Sequence, residues 1–266
     1  MSQVCFAGIT GWTAPAIVAA IANSDDMRLV AGVSRSAAGQ NLRDVTGLEV
    51  DGHVFASVAE AVAASDADVL VDYTSAAAVG ENVRAAIEAG VHVVIGSSGL
   101  DADDFALIDA EAREQGVGVV AAGNFSVMAA VLQRSAVLAA QHLEHWEILD
   151  LASDTKPDVP SGTARQLAEA LAEVRQPQSA VPVDQVHGPA EARGADVGGT
   201  RVHSLRLPGF VVTTEIVFAG SGERLVMRND PGPTPAPYVD GTLLAIRKVP
   251  GVVGLVRGLD ALLFDD

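Results

Sequence analysis

The sequence predicts an α/β protein: a Rossmann-type, doubly wound parallel sheet followed by a second α+β domain built on a mixed, largely antiparallel sheet. In the first 125 residues, short Val-rich runs alternate with alanine-rich amphipathic stretches, a pattern typical of strands alternating with helices. After residue 125 this alternation stops, and short apolar runs separated by glycine-containing turns follow one another. Hydrophobic residues make up 49% of the 266-residue chain, which is enough for a sizeable core.

The first half is predicted to contain five buried strands, because each run is apolar and bounded by turn residues. These strands are residues 3–7, 29–33, 67–72, 91–95 and 117–121. The stretches between them have helical composition and are residues 15–22, 57–64, 78–89 and 103–115. Ser57 and Glu60 have the spacing of a capping box at the start of one of these helices.

The second half is predicted to begin with a long helix at 126–145 and a strand at 146–151, followed by a helix at 161–174. Residues 176–200 are rich in Pro, Gly and polar residues, which indicates an extended loop. Consecutive strands are expected at 202–207, 211–218 and 224–228, with tight turns at Gly209 and Gly222. A last helix at 241–248 would return to the first domain. We therefore expect one domain of residues 1–125 with 240–266, and another of residues 126–239.

Composition limits the possible partners. The formal charge of −17 argues against a nucleic-acid partner, since such binding depends on clustered Lys and Arg. No uninterrupted apolar run of about 18 residues occurs, and Gly8, Gly11 and Pro15 break up the amino-terminal stretch, so we expect neither a membrane span nor a signal peptide. The single cysteine, Cys5, excludes an internal disulfide and fits a cytoplasmic protein. We expect no metal site, because the candidate pair of histidines at 142 and 145 lacks a third ligand.

A glycine-rich turn follows the first predicted strand and opens the first predicted helix. Gly8, Gly11 and Ala14 have the G-x-x-G-x-x-A spacing of a dinucleotide fingerprint. Small residues let the backbone approach a pyrophosphate, whose charge meets free amides and the positive end of the helix. The alternative is an ordinary strand-to-helix turn. The expected cofactor contacts in this turn are Gly8, Ile9, Thr10, Gly11, Trp12 and Thr13.

The end of the second predicted strand bears on the choice of cofactor. An acidic residue there would bind the ribose 2′-hydroxyl of NAD, whereas an arginine accommodates the 2′-phosphate of NADP. This strand ends in Ser34-Arg35-Ser36, without an acid. We therefore predict that Ser34 and Arg35 contact the cofactor, with NADPH preferred and NADH possible. The alternative is that Arg35 is a solvated surface residue.

Six segments, in order and spanning most of the chain, resemble the dihydrodipicolinate reductase family. They read GITGWTA at 8–14, DYT at 72–74, GSSG at 96–99, AGNFS at 122–126, KPDVPSGTA at 156–164 and GERL at 222–225. The resemblance implies a reductase of lysine biosynthesis that reduces a cyclic imine-type substrate with a nicotinamide cofactor. It also implies that the second domain binds the substrate and forms a homotetramer through its sheet.

The resemblance implies roles for individual residues as well. Loops that follow the later strands would contact the cofactor through Thr74, Gly96, Ser97, Ser98, Ala122, Gly123, Asn124 and Phe125. The turn containing Ser161, Gly162 and Thr163 would bind a substrate carboxylate, since a capped helix amino terminus offers amides to an anion. Simple helix capping is the alternative for this turn. Lys156 matches the family lysine that assists protonation and binds the substrate, and its alternative is a solvated loop residue.

One departure from the family pattern concerns the proton donor. The family carries a His-His pair shortly before its lysine, where this chain has Ala152 and Ser153. Alanine cannot donate a proton and serine is no general acid near neutral pH. Our hypothesis is therefore an imine reductase with a rebuilt substrate site, in which Ser153 contacts the substrate and Lys156 supplies a counter-charge or a proton. Two alternatives are the standard lysine-pathway reaction with another proton donor, and a non-catalytic NADP-binding homologue.

Overall fold

A computed structural model describes residues 1–264 and divides into two compact units. The first unit comprises Met1–Val127 and the chain from Pro235 onward, and the second comprises Met128–Thr234. The predicted returning segment, 240–266, therefore extends by two residues, 265 and 266, beyond the described part of the chain.

The strands, in chain order, are β1 Ser2–Ala7, β2 Met27–Val33, β3 His53–Phe55, β4 Val69–Asp72, β5 His92–Ile95, β6 Gly118–Ala121, β7 His145–Ala152, β8 Ala195–Val197, β9 Thr200–Arg206, β10 Val212–Ala219, β11 Arg224–Asn229 and β12 Gly254–Arg257. The α-helices are α1 Ala14–Ala22, α2 Leu42–Thr46, α3 Val58–Ala64, α4 Val79–Glu88, α5 Ala102–Gln115, α6 Val127–Ala140, α7 Gly162–Ala172, α8 Val239–Lys248 and α9 Asp260–Leu263.

The first unit is built on a seven-stranded sheet in the order β12-β6-β5-β4-β1-β2-β3, with every neighbouring pair parallel. The predicted fold class is confirmed. All five predicted strands are present, and their Val-rich runs are buried because helices cover both faces of such a sheet. Strands β3 and β12 were not predicted, since each has only three or four residues and neither is a continuous apolar run.

The strand order reverses beside β1. From β1 the chain builds outward through β2 and β3 on one side, and through β4, β5 and β6 on the other. At such a reversal the loops after two adjacent strands diverge and leave a crevice at the carboxyl ends of the strands. Any ligand of this unit is therefore expected at that edge.

The predicted capping box at Ser57 is only half formed. The Glu60 amide donates to Ser57 Oγ at 3.3 Å, as expected for an N-cap. The Glu60 carboxylate, however, accepts from the amide of Ala56 at 3.2 Å instead of from that of Ser57. The helix still begins where the sequence places it.

The second unit is a mixed five-stranded sheet in the order β11-β10-β7-β9-β8, in which only the β7–β9 pair is parallel. Helices α6 and α7 contribute to its core, where Leu132 and Leu167 pack with Trp146, Ile148 and Phe218 of the sheet. The mixed, largely antiparallel character of this sheet was predicted.

Three details of the second unit differ from the sequence prediction. The strands β9 and β10 are not neighbours in the sheet, because β7 lies between them. The connection at Gly209 therefore passes over the carboxyl end of β7 and does not form a hairpin. The predicted loop 176–200 contains β8, which pairs with β9 through a turn at Gly198 and Gly199, both with positive φ. The predicted helix 126–145 ends at Ala140, since His145 already pairs with Ala219 in the sheet.

Candidate functional site

The residues predicted to bind a cofactor lie at one edge of the first unit. Because its strands are parallel, their carboxyl ends point in the same direction. The predicted residues directly follow five of these strands: 8–13 after β1, 34–35 after β2, 74 after β4, 96–98 after β5 and 122–125 after β6. Fold topology thus brings together positions that are spread over more than a hundred residues of sequence.

The turn after β1 is closely packed at two glycines, and at Gly8 it has room for no other residue. Gly8 has a φ of +86°, and a Cβ there would lie 2.3 Å from the carbonyl oxygen of Tyr73. The Gly11 amide donates to the Gly8 carbonyl at 2.8 Å, and a Cβ on Gly11 would lie 3.0 Å from that oxygen. Within the described part of the chain, the amides of Thr10, Trp12 and Thr13 have no hydrogen-bond partner. The turn therefore offers backbone donors to an anion at the amino terminus of α1, which fits a dinucleotide pyrophosphate.

Tyr73 is a partly buried residue around which this edge is packed. Its ring stacks on Phe6 with centroids 5.9 Å apart, and a Cβ on Gly96 would lie 2.3 Å from a ring atom. Burial raises the pKa of the Tyr73 phenol, so the hydroxyl remains a donor. It lies 2.8 Å from Thr242 Oγ1, whose own hydroxyl donates to the carbonyl of Tyr238 at 2.8 Å. Glycine at 8 and 96 is thus a consequence of where Tyr73 lies.

Asp72 joins the loops after β4 and β5. Its carboxylate is fully buried and accepts from Ser97 Oγ at 2.6 Å, Thr74 Oγ1 at 2.7 Å and Asn82 Nδ2 at 2.8 Å. The Thr74 amide also donates to Ser97 Oγ at 2.7 Å. The Thr74 amide also lies 3.0 Å from Asp72 Oδ1, which forms an Asx-turn, and the DYT motif had given Asp72 no role of its own. The neighbouring Ser98 is exposed.

The loop after β6 is held by its own side chains and by α8. Asn124 Oδ1 accepts from the Ser126 amide at 2.8 Å, and the buried Phe125 ring lies 6.0 Å from that of Tyr73. A Cβ on Gly241 of α8 would lie 2.0 Å from the Phe125 carbonyl oxygen, so the helix and the loop are in direct backbone contact. The first turn of α8 therefore supports the loop that contains 122–125.

The end of β2 carries hydroxyl groups. Ser34 Oγ lies 3.0 Å from Thr10 Oγ1 and 3.1 Å from Ser36 Oγ. Arg35 is exposed, and among the described residues it forms no hydrogen bond or ion pair. Trp12 is 53% exposed, and its ring meets that of Tyr238 edge-on at 6.2 Å. An arginine and three hydroxyls are thus present where a ribose phosphate would be recognised.

In the second unit, Lys156 lies in the loop between β7 and α7. Its Nζ is 2.8 Å from Asp158 Oδ1, and the two side chains are 26% and 23% exposed. The hydroxyl of Ser153 is engaged locally, at 2.9 Å from Thr155 Oγ1 and 3.2 Å from Asp154 Oδ1. Lys156 is therefore a partly buried cation with one acidic partner, not a solvated loop lysine.

The predicted carboxylate-binding turn forms the amino terminus of α7. Ser161 Oγ accepts from the Ala164 amide at 3.3 Å, which is ordinary helix capping. The Ser161 amide donates to Asp150 Oδ2 at 2.9 Å, so one of the amides that the sequence interpretation offered to an anion is already used. The Gly162 amide has no partner among the residues that the structure describes. Thr163 directly follows it in the first turn of α7.

Beneath this turn lies a buried charge pair that the sequence interpretation missed. Arg206 Nη2 is 2.8 Å from Asp150 Oδ2, with side-chain exposures of 14% and 0%. Burial raises the pKa of Asp150, but hydrogen bonds from Ser161, Arg206 and Ser204 outweigh it and hold the pKa of that carboxyl below its usual range. An aspartate between two leucines in β7 is the sequence signal for this pair.

Residues 1–264 lack two features that would point to other functions. No helix in that range is both long and apolar enough to span a bilayer. Nor does the same range contain a group of three or more His, Cys, Asp or Glu side chains arranged to hold a metal ion.

Two family models match this chain and together span almost all of it. Residues 2–125 match "Dihydrodipicolinate reductase, N-terminus", and residues 125–262 match "Dihydrodipicolinate reductase, C-terminus". The first segment contains three of the six motifs that carry the resemblance and the second contains two, while the AGNFS motif at 122–126 spans the junction between them.

Relatives of similar length agree with these matches. The 4-hydroxy-tetrahydrodipicolinate reductase of Synechococcus elongatus is 36% identical over 265 residues and 96% of each chain, and that of Geobacillus kaustophilus is 33% identical over 262 residues and 98% of each chain. The dipicolinate-bound dihydrodipicolinate reductase of Paenisporosarcina sp. TG-14 has a TM-score of 0.77 at 28% identity over 98% of each chain. The chain belongs to the dihydrodipicolinate reductase family, a family of NAD(P)H-dependent reductases.

Proposed function

We propose that this protein reduces a small, cyclic, carboxylate-bearing imine with NADPH. The observation that carries the proposal is a contrast between two parts of the chain. The loops at the carboxyl ends of β1, β2, β4, β5 and β6 have the geometry of a dinucleotide site, whereas Ala152 and Ser153 stand where the family resemblance implies a histidine pair. We therefore propose that cofactor binding is retained while the proton-donating part of the substrate site differs.

The cofactor would be held by backbone amides and hydroxyl groups. The amides of Thr10, Trp12 and Thr13 suit the pyrophosphate, and Arg35 with the hydroxyls of Ser34 and its neighbours suits a 2′-phosphate. When bound, the nicotinamide supplies the hydride. The absence of an acid at the end of β2 is the reason to prefer NADPH over NADH.

The substrate would be held by the turn before α7 and by Lys156. The Gly162 amide and the positive end of α7 suit a carboxylate, with Ser161 fixing the helix end and Thr163 beside it. Reduction of a C=N bond adds a hydride to carbon and a proton to nitrogen. The Lys156 ammonium is the cationic proton source on this loop, and the Ser153 hydroxyl is a candidate polar contact.

The charge of the loop favours a less acidic substrate than a dicarboxylate. Lys156 is its one cation, and it shares the loop with two carboxylates, Asp154 and Asp158. With no histidine at 152 or 153, the loop lacks a further group that could become positive. A cyclic imine with one carboxylate therefore suits it better.

A second candidate is the lysine-biosynthesis reaction itself, reduction of 4-hydroxy-tetrahydrodipicolinate. It is supported by identities of 33–36% over nearly the whole length of enzymes that carry this name. It is also supported by a structural relative whose bound ligand is dipicolinate. In this case the proton would come from Lys156 or from water. We also propose the cytoplasmic homotetramer that the family resemblance implies.

The test is NADPH oxidation across a panel of imines, repeated with NADH. The panel contains enzymatically generated 4-hydroxy-tetrahydrodipicolinate, piperideine carboxylate and pyrroline carboxylate. Preference for a monocarboxylate supports the first candidate, and preference for the dicarboxylate supports the second. Tight NADPH binding without turnover of any member would contradict both and indicate a non-catalytic homologue.

A further inference from the structure

We infer that the buried Arg206–Asp150 pair positions the carboxylate-binding turn and Lys156, so that it controls substrate affinity without contacting the substrate. The inference rests on the proposed function, because it concerns the same substrate site. Neither residue was assigned a role by the sequence motifs.

Arg206 joins strand β9 to the loop before α7. Its Nη2 donates to Asp150 Oδ2 at 2.8 Å and to the carbonyl oxygen of Asp158 at 2.7 Å. Its Nη1 donates to the carbonyls of Leu205 at 2.9 Å and Asp150 at 3.3 Å. One planar guanidinium thus connects β7, β9 and the loop that carries Lys156.

Asp150 completes the connection at the other end of the turn. Its Oδ2 accepts from the Ser161 amide at 2.9 Å and from Ser204 Oγ at 2.8 Å, besides Arg206. The pair therefore fixes the backbone at two points, the Asp158 carbonyl and the Ser161 amide, which flank residues 159–160. The anion-binding end of α7 begins directly after the second point.

Lys156 is coupled to the same pair through Asp158. The Asp158 carbonyl accepts from Arg206, while its carboxylate holds Lys156 Nζ at 2.8 Å. A shift of the Asp158 backbone would therefore move the proposed proton source together with the anion-binding turn. Small displacements of this kind strongly affect bound geometry, and hence rate.

The pair is poorly explained as a source of stability alone. Asp150 Oδ1, Asp158 Oδ2 and Arg206 Nε are buried without a partner in the described part of the chain. Buried charge pairs with unsatisfied atoms are often no more stabilising than apolar residues of similar volume. A fixed backbone geometry is a better reason for placing two charges here.

The experiment compares Arg206→Met and Arg206→Lys with a matched control, Arg201→Met. Arg201 lies on the same strand and pairs with Asp196 at 3.0 Å, away from the turn. Affinities for dipicolinate, its monocarboxylate analogue picolinate and NADPH are measured by calorimetric titration of the full-length protein. We expect Arg206→Met to weaken binding of the better carboxylate at least about tenfold, with the NADPH affinity within about twofold. The carboxylate affinity of Arg206→Lys should lie between those of Arg206→Met and the unmodified protein, because an ammonium keeps the charge but not the planar arrangement of donors.

Kinetics should separate positioning from general damage. In Arg206→Lys, KM for the accepted imine should rise more than kcat falls, and KM for NADPH should be unchanged. If Arg206→Met does not fold, Asp150→Asn replaces it, since the amide keeps an acceptor for Ser161 but removes the charge that faces Arg206.

The outcomes are distinguishable. Variants that fold and bind carboxylates as tightly as the unmodified protein would overturn the inference while leaving the proposed function intact. An unmodified protein that binds neither carboxylate and reduces no imine would overturn both. Equal weakening in Arg201→Met would also contradict the inference, because it would show a general effect of altering β9.

Discussion

The edge of the first unit at which the predicted cofactor contacts lie, here called the nucleotide edge, is held by one kind of interaction. The turn before α7 in the second unit is held by another. At the nucleotide edge, loops are fixed by close contacts around a partly buried aromatic residue, Tyr73, with glycines at positions 8 and 96, where a Cβ would clash with it. At the turn, the backbone is fixed by a buried ion pair between Asp150 and Arg206. The first region should therefore respond to added volume, and the second to lost charge and to acid.

The largest expected effect is that of Lys156→Ala, which removes the cation from the loop before α7. We expect turnover of the accepted imine to fall by about 10²–10⁴-fold, the usual contribution of a positioned acid or base. The NADPH affinity should remain within about twofold, because the predicted cofactor contacts follow β1, β2, β4, β5 and β6, whereas Lys156 follows β7. Steady-state kinetics and a cofactor titration measure both. The matched control is Lys248→Ala, which alters the chain's only other lysine. Unaltered turnover in Lys156→Ala would remove this residue from the mechanism.

The second largest effect is expected for Gly8→Ala at the nucleotide edge, with Gly39→Ala as its matched control. The two glycines have nearly equal φ, +86° and +85°, so an alanine should cost about 1–2 kcal/mol of backbone strain at either position. Only at Gly8 would the Cβ also clash, 2.3 Å from the Tyr73 carbonyl oxygen, while Gly39 faces open space. We expect NADPH affinity to fall at least about tenfold in Gly8→Ala alone. Urea unfolding and NADPH titration measure the two contributions. Equal behaviour of the two variants would mean that close packing against Tyr73 is unimportant.

A smaller effect is expected for Arg35→Ala. Loss of one exposed charge-assisted contact to a 2′-phosphate should weaken NADPH binding by about tenfold, about 1.4 kcal/mol, and leave NADH binding unchanged. Arg28→Ala is the matched control, since Arg28 is also exposed but lies at the amino end of the same strand. Fluorescence titration with each cofactor gives the comparison. An equal loss of affinity for NADH would show that Arg35 does not recognise the 2′-phosphate of NADPH.

The smallest effect concerns acid. The pKa of Asp150 is lowered in the folded protein, so its stabilising contribution is fully present above the unfolded-state value, about 3.9, and is lost as the pH falls through the lowered pKa. Below about pH 4, the thermal unfolding midpoint of Asp150→Asn should therefore depend less on pH than that of the unmodified protein. Thermal unfolding across acidic pH measures this, and an identical pH dependence in both proteins would contradict it.

The two regions also differ in how far the sequence predicted them. At the nucleotide edge, Gly8, Gly11 and Ala14 follow an apolar strand, and the signal is local because the constraint is a backbone turn. Buried parallel strands were equally readable from their Val-rich runs. The strands β3, β8 and β12 were missed, since none has more than two consecutive apolar residues, whereas the equally short β4, β5 and β6 each have three.

At the turn before α7, the sequence predicted the segment but not its support. Arg206 lies 56 residues from Asp150, and only the parallel pairing of β7 with β9 brings the two together. The tight turn predicted at Gly209 would make β9 and β10 neighbours, whereas β7 lies between them. An error in strand order therefore conceals any contact that depends on it.

The position of α8 has a consequence for biosynthesis of the chain. Its first turn supports the loop after β6 through Gly241 and meets Tyr73 through Thr242, yet these residues are translated after the entire second unit. A nascent chain that has emerged from the ribosome only as far as residue 234 has every glycine of the nucleotide edge but lacks the helix that packs behind them. Competence to bind the dinucleotide should thus arise late in synthesis, when little of the protein remains to be made.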